Sequence, residues 1–386
     1  MDIATEMVNN LVPIYLTNVL GVGTAVVGLI EGVAEATASL LKLVSGWLSD
    51  RLGTRKWLAV SGYGLSAVSK ALFLAAGSWP AIAGARWADR VGKGIRTAPR
   101  DALIADSVTP AQRGVAFGLQ RAMDTAGAMV GLLVAWSVVK LMQGGALQLT
   151  ANTFRTLVLV SLVPAALAVV ALVYGAVEVP VTGDASLPKV SIRGLGRPFA
   201  ILLFITALFG LGNSSDAFLT LRAQERGLSL LGILAMLAVF NLVYALISTP
   251  AGRLSDRLGR RRLIILGWSV YAAIYLGFGL AQTAWQVVVL YVLYGLYYGL
   301  AYGTTRALVA DVVPESLWGT AYGTYNAVVG IMDLPASLLA GILWQGIGGW
   351  HGFGPQAPFL FGAGMALLAS VLMWAWRPPR VGQAGV

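Results

Sequence analysis

Apolar runs close to the length that crosses a bilayer, about 20 residues, recur along the chain with short polar breaks between them. Twelve can be drawn, at 2–20, 24–46, 57–76, 79–98, 114–138, 154–177, 199–219, 230–251, 263–281, 285–305, 317–341 and 357–376. The pattern predicts an all-α integral membrane protein of twelve transmembrane helices. Between the sixth and seventh runs, residues 178 to 198 hold Glu178, Pro180, Asp184, Pro188, Pro198 and three basic residues, the composition of a linker. The chain therefore divides into a six-helix bundle at 1–178, a linker at 179–198 and a second six-helix bundle at 199–386.

Composition sharpens this picture. Of 386 residues, 57% are hydrophobic and 11% charged, where a soluble domain carries roughly 25% charged residues. Forty-seven glycines suit helices that approach closely through small residues. The absence of cysteine removes thiolate chemistry and cysteine-bound zinc, and the single histidine, His351, cannot build a histidine triad or cluster. No enzymatic activity and no cofactor are expected.

The net charge of +10 records topology. With alternate gaps taken as inside, the inside set carries Arg51, Arg55, Lys56, Arg96, Arg100, Arg113, Lys189, Arg193, Arg197, Arg253, Arg257, Arg260, Arg261, Arg262, Arg306, Arg377 and Arg380. The outside set carries only Lys140, Arg155, Arg222 and Arg226. Positive residues gather on the cytoplasmic side, so both termini are expected there and the linker with them. No basic stripe with stacking aromatics accompanies the charge, which argues against a nucleic-acid partner. The first run opens on Asp2 and Glu6 without a basic start, so it reads as a span rather than a cleaved signal.

The two halves repeat. Gly46 to Leu58 lies over Gly252 to Ile264 with eight identities in thirteen positions at an offset of 206, and Ala102-Leu-Ile-Ala-Asp106 matches Ala307-Leu-Val-Ala-Asp311 at an offset of 205. Each half has an even number of spans, so the copies enter from the same side as a parallel repeat. The run Gly-x-x-x-Asp-Arg-x-Gly-x-Arg-Lys/Arg, present at Gly46 to Lys56 and at Gly252 to Arg262, resembles the loop signature of the major facilitator superfamily. Arg90-x-x-Lys93-Gly94 resembles a fourth-helix motif of that family, with Lys93 where glutamine is usual. Gly127-x-x-x-Gly131 resembles the glycine motif of its proton-coupled exporters, with Leu132 in place of a proline. The stretch Asp89 to Asp106 looks like a prokaryotic branch of the family.

The resemblance implies two pseudo-symmetric bundles that rock about a central site. It also implies that Gly46, Asp50, Arg51, Gly53 and Arg55, with Gly252, Asp256, Arg257, Gly259 and Arg261, latch the cytoplasmic side in one state and release it in the other. Elementary chemistry supports this, since a carboxylate at a helix end pairs with arginine and glycine permits the tight turn.

An ionisable residue inside an apolar span costs about 2.5–3.5 kcal/mol or more on insertion scales, so each needs a partner or a use. Asp2, Glu6, Asn9, Asn10 and Pro13 share a face of the first span, and Glu31, Glu35 and Lys42 follow at four and seven in the second. Lys70 stands in the third; Arg86, Asp89, Arg90 and Lys93 form a stripe down the fourth; Arg121 and Asp124 lie near mid-depth in the fifth. Asp124 is the first choice for a protonatable switch, with Arg121 a turn away and Arg90 on a neighbouring helix; Glu31, Glu35 and Glu6 are rivals. A permanent buried ion pair is the alternative for each. Arg86 and Arg90 offer planar forks that suit an anion, yet six acids against six bases leave the substrate's charge open.

The second half is neutral by contrast. It offers Asp216 and Asp333 with Asn213, Asn241, Tyr244, Tyr294, Tyr297, Tyr298 and Asn326 as a hydrogen-bonding and aromatic lining for substrate, to which the first half adds Asn9, Asn10 and Arg86. Helix packing is the other reading of the tyrosines. The whole predicts a monomeric secondary transporter of the cell inner membrane, with a small-molecule substrate, protons and membrane lipids as partners. Proton-coupled efflux leads; uptake by proton symport or facilitated diffusion, and a non-transporting receptor or assembly partner, are the alternatives.

Overall fold

The computed structural model describes the backbone of residues 1–109, 112–178, 195–314 and 317–376. The side chains of residues 50, 113–115, 118, 248–249, 251–257, 299, 301–303, 306–307, 310 and 318–320 lie outside that description. Nearly all of the expected linker, and the side chains of Asp50, Gly252, Asp256 and Arg257, therefore lie outside the described residues.

Fourteen helices are described: α1 Asp2–Val8, α2 Val12–Asn18, α3 Thr24–Leu52, α4 Lys56–Ala75, α5 Trp79–Asp106, α6 Arg113–Gln143, α7 Ala151–Gly175, α8 Gly196–Gly212, α9 Ala217–Glu225, α10 Leu230–Leu258, α11 Arg260–Leu280, α12 Ala284–Val312, α13 Trp318–Gln345 and α14 Ala357–Ala375. Among the described residues the β-structure is a single bridge between Ile347 and Trp350. The fold is the expected all-α one of twelve spans, because α1 with α2 and α8 with α9 each make one interrupted span.

Nine helical stretches among the described residues are long and apolar enough to cross a membrane by themselves. Those left out are instructive. α5 has 28 residues, ample length, but its charged stripe lowers its hydropathy. The first span falls short because it breaks. α1 stops at a 3-10 turn, Asn9–Leu11, and α2 restarts with a proline in its first turn, where the missing N–H is no loss. The seventh span breaks at the matching place: Asn213 leaves the helical region with φ −100 and ψ 76, and α9 begins after Asp216.

The chain forms two compact units, residues 1–23, 33–188 and 229–238 in one, and 24–32, 189–228 and 239–386 in the other. In the first, α4 packs on α5 and α7, and α1 packs on α6 and α7. The α4–α5 seam is close enough that a Cβ at Gly92 would lie 2.6 Å from Ser66 Oγ and 2.7 Å from the Gly62 carbonyl oxygen. In the second, α11 packs on α12 and α14, and α8 on α13 and α14. The opening turns of α3 belong to this second unit: Thr24 Oγ1 donates to the Gly341 carbonyl at 3.1 Å.

Candidate functional site

Helix breaks leave backbone groups without intrahelical partners and bring polar side chains to mid-span. At the first break, Asn10 Nδ2 donates to Glu6 Oε2 at 2.7 Å, and Asn9 Nδ2 donates to Asp89 Oδ2 on α5 at 3.1 Å. Asp89 is also the partner of Lys70 on α4, Nζ to Oδ1 at 3.1 Å, with side chains 0% and 3% exposed. Ser69 Oγ adds a longer bond of 3.4 Å. A fully buried ammonium survives only with a carboxylate and further hydrogen bonds around it, and this arrangement supplies both. Lys70 and Asp89 thus tie α4, α5 and the break together, a pairing that the sequence did not reveal.

Next to Asp89 on α5 a second ion pair faces α3. Arg90 Nη2 lies 2.9 Å and Arg86 Nη2 3.9 Å from Glu35 Oε1. Arg90 therefore pairs with Glu35 and not, as expected, beside Asp124. The third group is Asp124 on α6. Gln120 Nε2 donates to its Oδ2 at 2.8 Å, and Arg100 Nη1 stands 3.9 Å away. Arg121, the anticipated neighbour, is exposed. α1 packs on α6 at this level, which brings Asp2 and Asp124 to the same seam. The glycines one and two turns on make room: a Cβ at Gly127 would sit 3.5 Å from Asp2 Cβ, and one at Gly131 would lie 3.1 Å from Ile3 Cα.

Glu31 is buried, but with residues 24–32 it belongs to the second unit. There the break at Asn213–Asp216 is held by tyrosines. Tyr271 Oη donates to the Gly212 carbonyl at 3.1 Å or to Asn213 Oδ1 at 3.2 Å, and Tyr294 Oη donates to Asp216 Oδ1 at 3.1 Å. Tyr294 and Tyr297 are buried in a cluster of rings: Tyr294 stacks on Tyr297 at 5.5 Å, and Tyr298 meets Tyr244 edge-on at 5.9 Å. Asn241 on α10 and Asn326 on α13 are half-buried. Arg222, expected in an outside loop, is fully buried. Its guanidinium donates to the carbonyls of Phe278, Gly279 and Ala281, each at 3.1 Å, closing the C-terminus of α11.

The signature loops end their helices with glycines in the left-handed region, Gly53 at φ 62 and Gly259 at φ 86. Gly46 is close to α5, where an added Cβ would lie 3.3 Å from Ala98 Cβ. Arg55 Nη1 meets Asp106 Oδ2 at 2.9 Å, and Arg260 Nη1 meets Asp311 Oδ1 at 2.6 Å; the two aspartates are equivalent at the offset of 205, while Arg55 is equivalent to Arg261 at the loop's offset of 206, so the arginine differs by one position. Arg51 is exposed, its guanidinium 5.2 Å from the Trp47 ring centroid. Glu178 accepts from the backbone N–H of Arg55 at 2.6 Å and of Lys56 at 3.1 Å, a carboxylate at the N-terminus of α4. Arg261 donates to the Met373 carbonyl at 2.9 Å and to that of Trp374, a cation at the C-terminus of α14. Glu178 carried no signal in the sequence beyond its place at the linker.

The fold and these paired, interrupted spans define a membrane transporter of the secondary type, and comparison with known proteins agrees. The family model of the Major Facilitator Superfamily matches residues 1–237 and 201–385, so the chain belongs to that superfamily. An uncharacterized MFS-type transporter of Methanocaldococcus jannaschii is 33% identical over 379 residues, covering 96% of this chain and 91% of the relative. A protein of Mycobacterium tuberculosis is 28% identical over 381 residues, covering 94% and 87%. Among solved structures, the nucleoside transporter NupG aligns with TM-score 0.79 at 12% identity over 97% of this chain and 96% of its own. A D-xylose-proton symporter aligns with TM-score 0.78 at 16% identity over 98% and 95%.

Proposed function

We propose that this chain moves a small organic solute across the cell inner membrane by alternating access, coupled to protons and directed outward. Both termini face the cytoplasm, and the unit in the lipid bilayer is a monomer with bundles at 1–178 and 199–386. The observation that carries proton coupling is the seam of α1 and α6, where Asp2 lies beside the Gly127 turn that follows Asp124 and Arg100 stands 3.9 Å from Asp124. A proton taken up by these two acids leaves Arg100 close enough to replace it as the charge partner when the helices shift. Carboxylates that gain and lose a charge in this way mark proton pathways inside membranes.

Solute-binding groups belong to the helix break of each unit, since interrupted spans supply substrate contacts in transporters. In the first unit they are Asn9, Asn10 and Arg86, and in the second Asn213, Asp216, Asn241, Tyr244, Tyr294, Tyr297, Tyr298 and Asn326. Glu31, Glu35 and Glu6 are reserve proton acceptors. The signature loops act as the cytoplasmic latch. Uptake by proton symport is the second reading, favoured by Leu132 where exporters carry a proline and by a proton symporter among the structural neighbours.

Proteoliposomes loaded with a pH-sensitive dye and challenged with a broad panel of solutes test the coupling. A solute that moves protons through the wild type and crosses without them through Asp124→Asn supports it. Unchanged proton movement in Asp124→Asn removes Asp124 from the pathway.

A further inference from the structure

Helices α3 and α5 lie side by side in the first unit, and their contacts advance together along both. Arg90 Nη2 meets Glu35 Oε1 at 2.9 Å, Ser45 Oγ donates to the Gly94 carbonyl at 2.9 Å, and a Cβ at Gly46 would lie 3.3 Å from Ala98 Cβ. The two helices are therefore parallel. They touch at Gly94, where an added Cβ would lie 2.6 Å from Leu41 Cβ and 2.9 Å from the Ala38 carbonyl oxygen.

Two lysines flank this contact, Lys42 just after Leu41 and Lys93 just before Gly94. Successive residues turn by about 100° around a helix. Between parallel helices, the residue after a contact on one and the residue before it on the other turn to the same side of the seam. Lys42 and Lys93 thus share a side, and Lys42 is among the charges that act on Lys93. That side faces away from lipid, because Leu40 and Val44, two residues either way from Lys42 and so on the opposite face of α3, are the exposed apolar ones. A lysine on the lipid face runs its stem along apolar surface to the membrane boundary; these two turn inward instead.

Among the described residues, Lys42 and Lys93 make no ion pair and their ammonium groups donate no hydrogen bond, and both are half-buried. Of the acids on the neighbouring helices, Glu35 is engaged by Arg90 at 2.9 Å and Glu6 by Asn10 Nδ2 at 2.7 Å. A lysine inside a span persists where it has a partner or a use, and here two stand together with no carboxylate bound to either.

We propose that Lys42 and Lys93 form a two-point site for a doubly charged anion, and that the solute this chain moves carries a phosphate monoester. This assignment rests on the reading of the chain as a transporter. A phosphate monoester brings close to two negative charges at neutral pH and three acceptor oxygens, so it meets both ammoniums at once. A carboxylate brings one charge and satisfies one lysine. Each lysine is a compact charge on a flexible stem, and with one supplied by α3 and one by α5 the pair closes on the phosphate from two helices.

The test measures ligand-induced shifts in the unfolding temperature of the purified chain at constant ionic strength. The probes are inorganic phosphate, glycerol phosphate, glycerol and acetate, with short-chain phosphatidic acid presenting the same group on a lipid. At least one of the two soluble phosphates is expected to bind about tenfold more tightly than acetate or glycerol. Lys93→Gln and Lys42→Gln are each expected to weaken that binding about tenfold, as loss of a charged hydrogen bond does, and either serves if the other fails to fold. Lys93→Arg, which keeps the charge, is expected to hold it within about threefold. Acetate that binds as well as the phosphates, phosphate binding that survives in a folded Gln variant, or binding confined to phosphatidic acid overturns the assignment. If neutral or cationic solutes shift the protein while the phosphates do not, the lysine site is refuted and the transporter reading stands; if no solute of any charge shifts any folded variant, both fall.

Discussion

The two breaks in this chain lie at corresponding places and are tied to equivalent neighbours by different chemistry. In the first unit the break sends a donor, Asn9 Nδ2, to Asp89 on α5 at 3.1 Å. In the second it offers an acceptor, Asp216 Oδ1, to Tyr294 on α12 at 3.1 Å. Residues 89 and 294 are equivalent at the repeat offset of 205. The same offset sets Arg86 on Tyr291, Arg90 on Gly295 and Lys93 on Tyr298, so a stripe of charges in one half is replaced by tyrosines in the other. The lesson is that repeat symmetry preserved where helices bend and touch but not how they do so. On this helix one half kept charged groups and the other neutral tyrosines, with the second half's carboxyl, Asp216, at the break itself.

The halves should therefore fail differently when their ties are cut. The largest effect falls on Asp89→Ala, which strands Lys70 with no carboxylate in a fully buried setting. Breaking a buried pair from one side costs about 3–5 kcal/mol, and chemical unfolding in detergent reads that loss directly. Replacing both partners, Lys70→Met with Asp89→Leu, should recover most of it, since the penalty belongs to the stranded charge. Next comes the seam that carries the charged stripe. Gly92→Ala sets a Cβ 2.7 Å from the Gly62 carbonyl oxygen and 2.6 Å from Ser66 Oγ, and overpacking of that kind costs about 1–3 kcal/mol. Smallest is Tyr294→Phe, which removes one neutral donor and leaves the ring packing in place, worth about 1 kcal/mol. Equal losses for Asp89→Ala and Tyr294→Phe would erase the contrast between the halves.

Much of this was legible in the chain itself. The length of the apolar runs fixes the helices, since a membrane requires every backbone group to be satisfied within its segment. The doubled motif from Gly46 and from Gly252 displays the repeat. The breaks were not legible, because Asn9-Asn10-Leu11 and Asn213 to Asp216 interrupt their runs too briefly to change the overall pattern. Nor were the pairings. Spacing placed Arg86, Asp89, Arg90 and Lys93 on one side of α5, but whether that side met Glu35, Asp124 or Lys70 depends on how neighbouring helices are rotated. Arg222 was misjudged for a similar reason: as α9 runs on to Glu225, a residue assigned to a loop becomes the cap of α11.

The division of labour between the halves is tested most directly by proton movement in dye-loaded proteoliposomes for the wild type, Asp124→Asn and Tyr294→Phe, with any solute that the wild type transports. The account predicts that Asp124→Asn uncouples protons from the solute, while Tyr294→Phe slows transport but keeps the wild-type ratio of protons to solute. Coupling that survives in Asp124→Asn, or disappears in Tyr294→Phe, would contradict it.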